Sequence, residues 1–223
     1  MLAVHGRALP HRLGLRLATA RALHGLPYSA NTNILYAASR EQADTLVQAH
    51  ILNHPRWPSM ALGLDVEWNT VDPASGRPRT PFVPALIQLS SGHVTLLLHT
   101  WLFEDARKLP TTLQHVLEHP RAIKAGCAIH GDATILKRSY SISPRAFVDT
   151  QRVAAECGLG SRKQPVGMAR LATMVNGLQV DKDRHVARSN WEQPLGGDQV
   201  QQLDPHALPP GTTANADVRA SSQ

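Results

Sequence analysis

The sequence of 223 residues predicts an α/β fold built on one mixed β-sheet. Apolar segments typical of strands come first along the chain, and helix-like segments alternate with further strands later. Two of the strand-like segments meet at Ser91-Gly92, which indicates a hairpin and therefore antiparallel strands within the sheet. Hydrophobic residues make up 42% of the chain, which is enough for one sizeable core and one domain.

Periodicity, caps and turn residues predict the individual elements in chain order. The folded part begins near Asn33 with a short strand, and Ser39 then caps an amphipathic helix. The other predicted strands lie in ALGLDVEW, ALIQLSSGHVTLLLH (the hairpin), AIKAGCAI and AFVDT. The other predicted helices are LPTTLQHVLEHP, which ends before Pro120, HGDATILKRSY, and VGMARLATMVNGL, which ends at Gly177. The loop NTVDPASGRPRTP has turn residues throughout.

The two ends of the chain depart from this pattern. Residues 1–30 are rich in Arg and Leu and hold no acid, so we expect either a leader resembling a mitochondrial transit peptide or a disordered leader. Residues 202–223 are polar and aperiodic, which predicts a disordered, non-homologous tail after a domain over residues 31–201.

The apolar runs, the cysteines and the charge of the chain limit the partners and the environment that we expect for it. No apolar run approaches the ~20 residues that span a bilayer, so no membrane partner is expected. Two cysteines without a CxxC motif predict reduced thiols in an intracellular protein, nuclear or mitochondrial. The net charge is +6, and residues 121–188 hold twelve Lys and Arg against five Asp and Glu. This excess suits a polyanion such as nucleic acid, the alternative being an ordinary solvated surface.

Two acids lie within the predicted strand LGLDVEWN. Because alternate residues of a strand share a face, Asp65 and Glu67 point to one side and the apolar residues around them point to the other. Two carboxylates near a strand end repel each other unless a cation lies between them, and Mg²⁺ prefers oxygen ligands. The pair is therefore typical of half a metal site, the alternative being a half-exposed edge strand.

A third acid follows the strand-like part of KAGCAIHGDATIL. That strand ends near Gly126, and Asp132 falls in the first turn of the next helix. One interpretation is a carboxylate that complements the helix dipole. Another is a further metal ligand at the carboxyl end of a strand, where open α/β sheets place their sites. The spacing Gly126-x4-Gly131 is similar to a phosphate-binding loop, but Asp132-Ala133 replaces the Lys and Ser or Thr which that loop needs.

The segment HVLEH is a competing motif, because it matches the inverted zinc-peptidase signature. His115 and His119 lie one helical turn apart, so they could share a zinc ion beside Glu118. Pro120 follows at once and ends the helix at the candidate ligand. Zinc-dependent proteolysis is therefore kept as a remote alternative.

Taken together, the motifs LGLDVEW, ALIQLS, KAGCAIHGDATIL, FVDTQRVA and RHVARSNWEQPL resemble the DEDD-type (DnaQ-like) 3′–5′ exonucleases, and specifically the Werner-helicase exonuclease-domain group. The resemblance covers residues 33–201 and implies a ribonuclease-H-like fold, a mixed sheet flanked by helices. It implies that four carboxylates hold two Mg²⁺ or Mn²⁺ ions, about 3.5–4 Å apart, for phosphodiester hydrolysis at a nucleic-acid 3′ end. Asp65 and Glu67 match the first motif of the family, and Asp132 matches the second.

The resemblance also implies a nucleic-acid surface. Lys182, Arg184 and Arg188 would contact the phosphate backbone without reading its sequence. Trp191, in the family loop SNW, either packs against the fold or stacks near the substrate.

The third family motif, a Tyr followed four residues later by an Asp on a helix, is not matched. Counting on from the PL and QVQ residues places Gln202 at the Tyr position and His206 at the Asp position. Asp204 lies two residues early, about 200° away on a helix, and Pro205 interrupts the helix. We therefore expect a truncated C-terminal helix and weak or absent cutting. A nucleic-acid-binding pseudo-exonuclease, or a shifted frame or retained intron after Gln201, would explain the departure.

Overall fold

The computed structural model describes residues 33–177, 180, 184–196 and 199. The strands in these residues are β1 (Asn33–Ala37), β2 (Ala61–Glu67), β3 (Leu86–Ser90), β4 (Val94–Leu98), β5 (Ile123–Gly126) and β6 (Phe147–Asp149). The helices are α1 (Arg40–Val47), α2 (Thr111–Glu118), α3 (His130–Tyr140), α4 (Thr150–Glu156), α5 (Met168–Asn176) and α6 (Arg184–Ala187). A π-helical turn, Gln48–Leu52, extends α1.

The strands form one mixed sheet in the order β1-β4-β3-β2-β5-β6. Strands β2, β3 and β4 are antiparallel neighbours, whereas β1 runs parallel to β4 and β5 runs parallel to β2 and β6. This confirms the predicted α/β class and the hairpin at Ser91-Gly92. Because β2, β5 and β6 are parallel, their carboxyl ends meet at the same edge of the sheet, where α/β proteins place functional groups.

The main core lies between the sheet and the helices α1, α2 and α3. Its helical members include Val47, Leu113 and Leu136, all with no exposed surface. From β2 it takes Leu64 and Val66, each 3% exposed, so the predicted alternation of this strand is confirmed. A smaller second cluster consists of Ala85, Leu86, Leu97 and Trp191.

Local signals set most element boundaries. The Ser39 hydroxyl accepts a hydrogen bond from the Gln42 amide and begins α1, as predicted. Gly177, with φ 70°, ends α5 in the left-handed conformation that glycine adopts readily. Helix α4 was not predicted, because it has only seven residues and one buried position, Ala154, and therefore little periodicity. Asp149 caps it by accepting from the Gln151 amide.

Some predictions concern residues outside the described ranges. They are the leader over residues 1–30, the tail over residues 202–223, the truncated C-terminal helix and the side chain of Lys182. Within the described ranges, every helix is too short or too polar to cross a membrane.

Candidate active site

Strand β2 presents Asp65 and Glu67 from one face of the sheet. Both side chains are partly exposed, whereas the residues that alternate with them are buried in the core. The Glu67 carbonyl oxygen accepts a hydrogen bond from the Ala85 amide at 2.8 Å, which fixes the carboxyl end of the strand. The sequence pattern thus places the first two candidate ligands as predicted, side by side at the strand end.

Gly126 allows strand β5 to end close beside β2. A Cβ atom at this position would lie 2.5 Å from the Leu64 carbonyl oxygen, which is a steric clash. Position 126 therefore requires a glycine. The residue that it faces on the neighbouring strand, Leu64, directly precedes Asp65. This close approach brings the start of α3 towards the β2 carboxylates.

The turn between β5 and α3 is held by residues at the end of β6. The Ala128 amide donates to Asp149 Oδ1 at 3.2 Å, and Ala128 has φ 59°, an uncommon conformation for a residue with a side chain. The Thr150 hydroxyl donates to the Gly126 carbonyl oxygen at 3.1 Å. These contacts fix where α3 begins, and hence where Asp132 lies in its first turn.

Asp132 is buried, with 6% of its surface exposed, and lies close enough to Asp65 to sense its charge. Burial and the negative charge of Asp65 raise the pKa of Asp132 to about 7. Both effects disfavour the ionised form, and a divalent cation between the two carboxylates would reverse them. The oxygen donors suit Mg²⁺ or Mn²⁺. In the described part of the chain no group of three or more His, Cys, Asp or Glu is assembled for a metal, so Glu67 does not complete a cluster with this pair.

A cleft of about 640 Å³ adjoins the carboxyl end of β2. One wall is formed by residues 68–71 and Pro73, directly after Glu67, and the other by residues 187–190. Arg188 is exposed and contributes a positive charge to the second wall. Trp68 is part of the first wall, and its ring centroid lies 6.3 Å from that of Phe82. The cleft thus combines a cation and an aromatic ring directly after the strand that carries Asp65 and Glu67.

A sequence profile of the 3′–5′ exonuclease family matches residues 38–203, about three quarters of the chain. The chain belongs to the 3′–5′ exonuclease family. A 3′–5′ exonuclease of Arabidopsis thaliana is 28% identical over 142 residues, which are 63% of this chain and 46% of that protein. The predicted membership of the DEDD-type exonucleases is thus confirmed, and assignment to the Werner-helicase group stays a prediction.

Two solved structures share the fold of this exonuclease-family chain. RNase D of Escherichia coli superposes with a TM-score of 0.60 at 22% identity, covering 78% of this chain and 41% of that one. NrnC of Brucella melitensis, solved bound to pGG, superposes with a TM-score of 0.55 at 13% identity, covering 78% and 74%. The predicted ribonuclease-H-like fold is confirmed. This chain spans less than half the length of the Arabidopsis protein and of RNase D.

The four residues predicted to bind nucleic acid differ in where the structure places them. Arg188 lines the cleft, and Arg184 begins helix α6. Lys182 lies outside the described residues. Trp191 is 1% exposed and packs in the second cluster of the core. Its prediction as a stacking residue is wrong because a buried ring cannot reach a base, and the alternative of packing against the fold holds.

Two residues beside the carboxylates were missed from the sequence. Trp68 was expected to face the core; it does pack against it, but it also lines the cleft. Asn69 is buried, and its side chain forms a hydrogen bond with Asn190, 121 residues away in the sequence. Both residues directly follow Glu67, which is the one sequence feature that could have drawn attention to them. That feature does not reveal contacts with residues distant in the sequence.

The zinc-peptidase motif is accounted for by local structure in this exonuclease-family fold. Helix α2 ends at Glu118, whose carboxylate accepts from the Ser143 amide at 2.6 Å and from Gln114 Nε2 at 3.2 Å. The hydrogen bond from the Ser143 amide, the larger effect, lowers the pKa of Glu118, which makes it a poor general base. These contacts give Glu118 a structural role, and membership of the 3′–5′ exonuclease family favours nuclease over peptidase chemistry.

Proposed function

We propose that this protein is a metal-dependent 3′–5′ exonuclease that hydrolyses phosphodiester bonds from the 3′ end of DNA or RNA. The observation that carries the proposal is the pair Asp65 and Asp132, one carboxylate from strand β2 and one from the first turn of helix α3, brought together at the carboxyl edge of the sheet. Membership of the 3′–5′ exonuclease family supports the same activity.

Asp65 and Asp132 are the residues that would hold Mg²⁺ or Mn²⁺, and Glu67, which the family resemblance adds as a ligand, presents its side chain from the same face of β2 as Asp65. When bound, such ions acidify a water molecule and neutralise the charge that develops at the phosphate. The protein itself supplies the oxygen donors, one of them buried, and a fixed turn behind that donor. A buried carboxylate with a raised pKa has a strong preference for a cation over water, and its affinity for the metal should fall when it is protonated.

The cleft between residues 68–73 and 187–190 is the proposed path for the nucleic-acid strand. Arg188 would contact a phosphate there, and Trp68 offers the edge of an aromatic surface to the terminal nucleotide. Neither contact distinguishes one base from another, which suits an enzyme that removes nucleotides in succession.

Digestion of 5′-labelled DNA and RNA oligonucleotides with Mg²⁺ or Mn²⁺ tests the activity. Because the third family motif is not matched, we expect a slowly formed ladder of products shortened from the 3′ end, which EDTA and Asp65→Ala both abolish. Asp105→Asn is the matched control, because Asp105 is an exposed carboxylate paired with Lys108. Absence of laddering under all metal conditions, or laddering by Asp65→Ala, would refute the proposal.

Binding without cutting is the second candidate function. It is favoured by Gln202 and His206, which stand where the family has a Tyr and a metal-binding Asp. A protein of this kind binds oligonucleotides with an affinity that falls steeply with salt and does not shorten them. Anisotropy titrations at two salt concentrations, run beside the digestion, separate this function from the first.

A further inference from the structure

Asn69 lies two residues beyond Glu67 and connects the end of strand β2 to a distant segment. Only 6% of its surface is exposed. Its Nδ2 group donates to Asn190 Oδ1 at 2.7 Å, and its Oδ1 accepts from the backbone amide of Trp191 at 3.0 Å. Both ends of the buried amide are thus satisfied by the SNW segment (residues 189–191), which was singled out in the sequence as a family motif.

Asn190 completes the connection from the other side. Its Oδ1 accepts from the Glu192 amide at 3.0 Å as well as from Asn69, so one oxygen joins the end of β2 to the segment after α6. Its carbonyl oxygen accepts from Gln199 Nε2 at 3.3 Å. The same Nε2 group donates to the Ser189 hydroxyl at 2.9 Å, which holds the SNW segment in one conformation.

Two further contacts anchor the SNW segment behind the asparagine pair (Asn69 and Asn190). The buried ring of His99 donates from Nε2 to the Trp191 carbonyl oxygen at 2.9 Å. Glu192 forms an ion pair with Arg79, whose Nη1 and Nη2 lie 2.8 and 3.1 Å from the two carboxylate oxygens. Arg79 belongs to the loop that follows β2, and its amide donates to the Thr70 carbonyl oxygen at 3.0 Å.

The hydrogen bond between Asn69 and Asn190 joins the two walls of the cleft. Asn69 belongs to the first wall and Asn190 to the second, and their hydrogen bond sets the separation at the end nearest Glu67. A buried amide that loses either partner keeps an unsatisfied polar group, so the pair has one favoured arrangement.

We propose that Asn69 is a positioning residue of this exonuclease. Through Asn190 it fixes the SNW segment against the end of β2 and thereby sets the width of the cleft beside Glu67. The proposal rests on the exonuclease function proposed above. It assigns the SNW motif to holding the substrate cleft, where its tryptophan contributes packing and its asparagine contributes the connection.

The kinetic test compares Asn69→Ala and Asn190→Ala with the wild-type full-length chain. We expect kcat/KM on a 5′-labelled oligonucleotide to fall about tenfold or more in each variant, with KM rising about threefold or more. A loss of folded protein alone lowers kcat and leaves KM unchanged, so the rise in KM separates positioning from stability. The double variant should lose no more than the weaker single variant, because the two residues act as a unit.

Asn190→Asp provides a conservative rescue. The side chain of Asn190 takes part in the connection through Oδ1, which accepts hydrogen bonds from Asn69 and from the Glu192 amide. A carboxylate oxygen can accept both bonds as well. We expect Asn190→Asp to stay within about twofold of the wild type in KM. Thr112→Val is the matched control, since it removes a side-chain hydrogen bond of 2.6 Å to Asp44 between α1 and α2, away from the cleft.

Amide exchange followed by NMR gives a readout that needs no catalysis. The Trp191 amide donates to Asn69, so its exchange should accelerate about tenfold or more in Asn69→Ala and remain unchanged in Thr112→Val. If the wild type does not cut, the proposed exonuclease function is refuted. The exchange rate of the Trp191 amide then still tests whether Asn69 holds the SNW segment. Wild-type KM in both alanine variants, equal damage from Asn190→Asp and Asn190→Ala, or unchanged Trp191 exchange in Asn69→Ala would each overturn the proposal.

Discussion

The two ends of strand β5 each lead to a buried ionisable side chain, and the fold treats the two side chains differently. Near the amino end, Lys124 has no exposed surface, and its Nζ donates to the carbonyl oxygens of Val116 and His119, each at 3.1 Å. Beyond the carboxyl end, Asp132 is 6% exposed and faces the negative charge of Asp65. One buried group meets acceptors, and the other meets a like charge.

The difference distinguishes a buried charge that meets acceptors within the fold from one that faces a like charge. Lys124 satisfies the last carbonyl groups of α2 and complements the negative end of its helix dipole, so the fold alone provides its partners. Burial still lowers the pKa of Lys124 to about 8. Asp132 and Asp65 repel each other, and the pKa of Asp132 rises to about 7. A cation from outside the protein would stabilise such a repelling pair at the edge of a sheet, in line with the metal site proposed above.

Asp132→Asn should produce the largest effect, a loss of about a thousandfold or more in nucleotide release, because metal ions supply several kcal/mol of transition-state stabilisation. In EDTA the same change should raise the free energy of unfolding by about 1–3 kcal/mol, since it removes a charge that the fold disfavours. Digestion assays and urea unfolding measure the two quantities. Equal loss of activity and stability would mean that Asp132 is structural.

Lys124→Ala should show the reverse pattern. Loss of the buried side chain leaves two carbonyl oxygens unpaired and a cavity, so the free energy of unfolding should fall by about 3 kcal/mol or more. Lys124→Met, which retains most of the volume, should cost about half as much. Activity per folded molecule should stay at the wild-type level in both variants, measured below their melting range. A specific loss of activity in Lys124→Met would contradict the comparison.

The pH dependence of metal-free stability tests the raised pKa of Asp132. Its folded-state pKa, about 7, lies above the ordinary value of 3.8, so the folded protein holds the extra proton between these values. Stability should therefore fall as pH rises from about 4 to about 7, by up to about 1.4 kcal/mol per pH unit. Asp132→Asn should remove this fall, and Mg²⁺ or Mn²⁺ at pH 7 should offset it in the wild type only.

Lys124 should act with the opposite sign at alkaline pH, and to a smaller extent because its pKa is displaced less. Its folded-state pKa is about 8 and its ordinary value 10.5, so the unfolded chain holds the extra proton between these values. Stability should rise with pH over this range, and Lys124→Met should reduce the rise. Urea unfolding of both proteins at pH 8 and 10 measures the difference. An identical pH dependence would show that Lys124 does not titrate in this range.

Local patterns were sufficient to predict much of the fold and the carboxylates of the site. Period-two alternation placed Asp65 and Glu67 on one face of β2, and the helix start placed Asp132 in the first turn of α3. Caps and turns depend on neighbouring residues, so Ser39 and Gly177 were read correctly. Helix α4 was missed because seven residues with one buried position give no measurable period.

The sequence by itself determined the fold class, the faces of the strands and three carboxylates in family motifs, because each follows from contacts within a few residues or from the order of the motifs. Only the tertiary structure decided which of these groups meet. Strand order places β5 beside β2 and so joins Asp65 to Asp132. The burial of Trp191 and its bond to Asn69, 122 residues apart, likewise arise from packing between distant segments. No local pattern encodes such a contact, because its energy depends on how the whole chain closes on itself.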